Sequence, residues 1–159
     1  MTMATWFTKM FGGKKRTEVA TVPAGLDERV RKGGDPDDPS TPRPLLTLSE
    51  FFDGNTVVGS ICCNLDPTPQ PDEVRRVLAA IAARTEVAEV RVQVTAFDDP
   101  AWPFSDTVWV ITSASADTVG AWFPEPLRPD EVAVGWQDGV SYETVAVPNG
   151  MKAVACFWD

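Results

Sequence analysis

Residues 71–97 read PDEVRRVLAAIAARTEVAEVRVQVTAF, and a change of hydrophobic period inside this stretch decides the fold class. Val74, Val77, Leu78 and Ile81 fall at i, i+3, i+4 and i+7, the spacing of one helix face. Pro71 stands at the start, and Asp72 and Glu73 occupy a first turn where the helix dipole favours acid. The spacing predicts a helix over 71–84. Burying its four apolar side chains contributes about 6–12 kcal/mol as an upper bound. The period then drops to two. Val90, Val92 and Val94 face one way and Glu89, Arg91, Gln93 and Thr95 the other, which predicts a strand over 87–97.

Working outward, Ser60-Ile61-Cys62-Cys63-Asn64-Leu65 reads as a preceding strand that turns at Asp66-Pro67-Thr68-Pro69. Residues 106–112 read as a third strand. Ser115 then caps a second helix over 116–123, with Val119, Trp122 and Phe123 on its apolar face. Residues 124–150 lack a period apart from a short strand at 142–147, and a fourth main strand is expected over 152–158. Thr47-Leu48-Ser49-Glu50 has the form of a capping box and Gly54 of a stop, giving a short helix over 48–53. The order from residue 60 is strand, helix, strand, strand, helix, strand. With right-handed crossovers that order predicts an α+β fold, a ferredoxin-like split β-α-β sandwich. Its four-stranded antiparallel sheet, in the order four-one-three-two, carries two helices on one face.

The rest of the chain reads as a tail. Met3, Trp6, Phe7, Met10 and Phe11 make one stripe of a short helix, ended by Gly12-Gly13 and followed by Lys14-Lys15-Arg16. Residues 17–44 are rich in turn-forming Gly, Pro and Asp and read as a linker. The expected organisation is an N-terminal amphipathic segment and flexible, disordered or loosely docked linker over 1–44, then a single α+β domain over 45–159.

Charge narrows the function classes. Residues 1–44 hold eight Lys and Arg against six Asp and Glu, and residues 45–159 hold six against seventeen, a balance of +2 and −11. So acidic a domain repels nucleic acid and attracts basic proteins. Nucleic acid is therefore not expected as a partner. No run approaches the length of a membrane span, and surface contact through the short apolar stripe at Met3–Phe11 is disfavoured because eleven residues are marginal for an isolated helix in water. The chain has no histidine, which removes Cys-His and Ser-His-Asp catalysis within one chain. No phosphate-binding glycine loop and no calcium-loop spacing occur. Cys62, Cys63 and Cys156 lie in apolar runs and read as reduced thiols of a cytoplasmic protein.

In the expected topology Asp66, Asp98, Asp99 and Asp106 gather at one sheet edge, with Trp102 and Phe104 between them. Aromatic anchors ringed by charge suit a protein-docking surface, and these six residues are the candidate partner-binding site. The alternative use of the same carboxylates is a metal-dependent hydrolase. The sheet face away from the helices would carry Arg91, Gln93, Thr95 and Phe97, joined by either Trp109 with Ile111 or Val108 with Val110. Val154, Cys156 and Trp158 join it if the last strand is so oriented. That face is too apolar for water. The N-terminal helix, residues 124–147, a second copy forming a homodimer, or another protein would cover it.

Four segments carry a resemblance: Leu48-Ser49-Glu50-Phe51-Phe52-Asp53-Gly54-Asn55, Gly59 to Leu65, Trp102-Pro103-Phe104-Ser105-Asp106-Thr107-Val108 running to Ser115, and Phe157-Trp158-Asp159. Together they resemble small acidic uncharacterised bacterial proteins of the toxin-immunity type, a resemblance that implies a toxin as the partner. The resulting expectation is a non-enzymatic, cytoplasmic protein-binding module for a basic partner. No catalytic residue, metal or cofactor is expected.

Overall fold

Helix α1 (Ala24–Arg31) is the first element of the computed structural model, which describes residues 22–159. It lies inside the stretch expected to be a linker. Leu26 and Val30, one helical turn apart, are buried in the main core, and Asp27 and Arg29/Arg31 suit the two ends of the dipole. Two apolar residues make too short a stripe to read as a period, and tertiary packing supplies the rest. The Met3–Phe11 stripe lies outside the described residues.

The chain then forms strand β1 (Leu45–Leu46), helix α2 (Leu48–Phe52), helix α3 (Pro71–Ala82) and strand β2 (Val87–Gln93). Strand β3 (Thr107–Thr112), helix α4 (Ala116–Ala121), a 3-10 turn (Glu125–Leu127), strand β4 (Glu131–Val134) and strand β5 (Lys152–Phe157) complete it. Helix α2 carries the expected capping box. The Thr47 N–H donates to Glu50 Oε1 at 2.8 Å, and the Glu50 N–H to Thr47 Oγ1 at 3.1 Å. Gly54, at φ 75°, ends the segment where only glycine is unstrained. Ser115 caps α4, accepting from the Thr118 N–H at 3.2 Å.

The strands form one open antiparallel sheet of five, in the order β1-β2-β3-β5-β4. The fold is α+β as expected, but the ferredoxin-like arrangement is corrected. That arrangement has four strands in the order four-one-three-two, whereas here five strands take a different order and no strand from the 60–65 stretch lies among them. The expected first strand over 60–65 is also absent. Cys62 sits at φ 55°, in the left-handed region, and Gly59 at φ 90°, so the backbone turns instead of extending. Ile61 keeps one isolated bridge, to Ser105. The central place that strand would have taken is filled by β5 against β3, and β1 and β4 form the two edges.

One face of the sheet builds the main core. Val90, Val92, Val108, Val110, Val154 and Cys156 lie under Val74, Leu78 and Ile81 of α3, Phe51 and Phe52 of α2, and Val119 of α4. Helices α3 and α4 therefore share one face, as the pattern predicts. Trp158, expected on whichever face the last strand chose, also joins this side, its ring 5.7 Å from Phe123. Gly120 of α4 packs beside β4, where a Cβ would meet Val132 Cγ2 at an ordinary contact distance of 3.5 Å. No helix among the described residues is long and apolar enough to cross a membrane.

Candidate functional site

The opposite sheet face is where the molecule leaves space. Cross-strand register puts Glu131, Phe157 and Thr107 in one row, and Ala133, Ala155, Trp109 and Arg91 in the next. Trp109 is buried, and its indole N–H donates to Gln93 Oε1 at 2.9 Å. With Leu45, Ile111 and Ala153 it forms a second apolar cluster, against which Tyr142, Val145 and Met151 pack. The open face is thus covered in part from within, by the segment between β4 and β5.

That segment is clipped down at the β1 side. The Arg43 N–H donates to Ser141 O at 2.8 Å and the Glu143 N–H to Arg43 O at 3.0 Å. The Glu143 carboxylate accepts from the Leu45 N–H at 2.7 Å and from Arg29 Nη1 at 2.9 Å. Arg29 also bonds Glu50 at 2.8 Å, so one guanidinium joins α1, α2 and the covering segment. Burial works to lower the Arg29 pKa, but the bonds and charge of Glu143 and Glu50 outweigh it and raise it above its ordinary value. Burial likewise works to raise the Glu50 pKa, and the Thr47 N–H and Arg29 outweigh it, holding the carboxyl below the ordinary range.

Between the clipped segment and the sheet lies a cavity of about 580 Å³, the size of a small-molecule or side-chain pocket. One wall is aromatic. Trp136 lies on Trp109 with ring centroids 4.3 Å apart, and Tyr142 touches both at 5.1 and 5.3 Å. These rings pack on one another, so a guest rests against the wall instead of between them. Phe157 closes the lining beside β5.

The opposite lining is polar. Asp106 Oδ1 accepts the hydroxyls of Thr95 at 2.6 Å and Thr107 at 2.8 Å, which fixes the carboxylate in orientation. Its other oxygen and the whole Glu131 carboxylate have no hydrogen-bond partner among the described residues. Arg43 is the one cation of the lining, and its Nη1 donates to the backbone carbonyls of Pro36 at 3.1 Å and Thr95 at 3.2 Å. The cavity therefore offers two carboxylates and an aromatic face, a setting for a cation.

Of the six residues singled out in the sequence, only Asp106 reaches this cavity. Trp102 is 3% exposed, and its indole N–H donates to Phe51 O at 2.9 Å, bolting the 97–106 connection to α2. Phe104 is half-buried, and its backbone pairs with Ala96. Asp98 and Asp99 are exposed in a turn that Asp99 closes by accepting the Ala101 N–H at 2.8 Å. Asp66 is exposed in the turn before α3. Among the described residues no three His, Cys, Asp or Glu side chains gather to hold one metal ion. Cys62 and Cys156 are buried, and desolvation pushes both thiols up to about 12, far from nucleophilic at neutral pH.

The sequence reading passed over Glu131 and Trp136, which fall in the stretch taken as irregular, and Tyr142, at the start of the short strand expected over 142–147. The one available signal was two large aromatics in a segment otherwise rich in turn residues.

Comparison with known proteins places these features in context. A family model described as "Uncharacterized protein YfbO family" matches residues 15–156. A curated relative from Escherichia coli strain K12, "Uncharacterized protein YfbO", is 44% identical over 134 residues, covering 84% of this chain and 96% of the relative. No solved structure matches the chain.

Proposed function

We propose that this chain, which belongs to the YfbO family, is a non-enzymatic binding module that captures a basic protein through its aromatic cavity. The observation that carries the reading is the pairing, in one cavity, of the Trp109–Trp136–Tyr142 wall with the carboxylates of Asp106 and Glu131. A Lys or Arg side chain from the partner rests on the Trp136 face and meets the free oxygen of Asp106. Cation–aromatic contact contributes about 0.5–2 kcal/mol, more as water is excluded. The −11 balance of residues 45–159 raises the rate of encounter with a basic surface, and salt weakens it.

Buried, protonated thiols and the missing histidine favour binding over catalysis, and a cytoplasmic location suits three free cysteines. The resemblance to immunity-type proteins makes a toxin domain one partner of the required chemistry.

The direct test is a fluorescence titration of the full chain with arginine amide, against citrulline amide as the uncharged isostere. Arginine amide is expected to change the tryptophan emission saturably and citrulline amide to do so far more weakly. Asp106→Asn is expected to weaken the arginine response about tenfold, the loss of one charge-assisted bond. Equal responses to the two amides, or an Asp106→Asn chain that binds like the parent, would sink the proposal.

A further inference from the structure

The two edges of the sheet differ in a way that bears on how a partner arrives. At the β1 edge the backbone is occupied: the Leu45 N–H donates to Glu143, and its carbonyl accepts from Arg29 at 3.2 Å and Arg91 at 3.1 Å. Among the described residues the β4 edge has no such cover. In the β4–β5 ladder the Gly135 N–H donates to Ala153 O at 2.8 Å, and Ala133–Ala155 and Glu131–Phe157 share its parity. Alternation then turns the N–H and C=O of Val132 and Val134 outward, and no described group outside the strands bonds to either.

Edges left this way are usually blunted by charge, proline or a covering element, because they accept another strand. Here charge is confined to the start of the strand, at Glu131, and the side chains beyond it are apolar. Val134 is 54% exposed and Trp136, two residues on, 37%. The same strand lends Glu131 and Ala133 to the cavity lining, so backbone pairing and cavity are contiguous.

We infer that the open edge of β4 receives an extended basic segment of the partner protein as a sixth strand, and that this pairing delivers its cationic side chain to the cavity. The inference rests on the cavity reading above and adds to it the conformation of the partner. Backbone bonds to Val132 and Val134 hold the segment, and alternate side chains point toward the aromatic wall, which is how strand addition divides affinity from specificity. Charge selects the occupant. Among the described residues the lining holds the unpaired Glu131 carboxylate and one free oxygen of Asp106, and its one guanidinium already donates to backbone carbonyls.

The probe is an acetylated, amidated peptide of alternating Thr and Val with a central Arg, titrated against the full chain. N-methylating the amides of one parity is expected to weaken binding about tenfold, the loss of edge bonds, while methylating the other parity leaves it unchanged. Val132→Pro removes an outward N–H that the sheet does not use, lies outside the cavity lining and is tolerated on an edge strand. It is expected to lose the peptide and keep arginine amide. Should that variant fail to fold, the methylation series decides alone. A chain that binds arginine amide but ignores methylation at either parity overturns strand addition only, whereas one that binds neither probe overturns the cavity reading beneath it. A concentration-dependent dimer in light scattering that Val132→Pro abolishes would assign the edge to a second copy and overturn the inference.

Discussion

Cys62 and Cys156 sit out of water while Cys63, beside the first of them, is exposed. Alkylation of the native chain is therefore expected to modify one thiol quickly, and all three only after denaturation, which mass spectrometry reads directly. The buried thiols also set an alkaline limit. Their pKa rises on folding from 9.0 to about 12, so the protonated form stabilises the fold below pH 9 and that contribution fades as pH climbs towards 12. The sequence identified these residues as apolar-run cysteines, and burial of two follows from that. It could not separate Cys62 from Cys63, because alternation along a strand was assumed where a left-handed turn exists. The aspartates show the same boundary. Asp106 is placed by a ladder that the pattern revealed, and it reaches the site. Asp66, Asp98 and Asp99 were placed by a topology the chain does not adopt.

Helices α1 and α2 are held together through Arg29 and Glu50, and α2 by its own cap. Glu50→Gln is expected to cost about 1 kcal/mol at neutral pH, as a cap and partly exposed ion pair contribute. The difference should vanish on acidification. A carboxyl held below its ordinary value of 4.5 stabilises the fold above that pH and ceases to as pH falls through the lower, folded value. Thermal melts of parent and variant from neutral pH downward measure this, and curves that stay parallel would contradict it. Elements of this kind divide sharply in how readily the sequence announces them. Helix α3 and strands β2, β3 and β5 have enough turns or alternations to show a period. Strand β1 has two residues and β4 four, between Pro129 and Gly135, too few for periodicity to distinguish from loop. Helix α1 has a two-residue stripe.

The whole molecule is a sheet with helices on one side and a clipped aromatic cover on the other. Both helix-covered valine rows follow from period-two patterning, which is why the core was readable although the strand order was not. Order depends on which short strands fill the edges, and those carry the weakest signals. The cavity depended on more still: the covering segment has no period, and only long-range contacts with Trp109, Arg43, Leu45 and Arg29 place it. One consequence of that cover is optical. Two indoles whose centres lie 4.3 Å apart at a mutual tilt of 38° share their electronic excitation. Coupled chromophores of this kind split a single absorption into adjoining circular-dichroism bands of opposite sign. Trp136→Phe is expected to erase that doublet while leaving the helical signal intact. A guest that pries the outer ring away would dim it, so the protein carries its own reporter of occupancy with no dye attached.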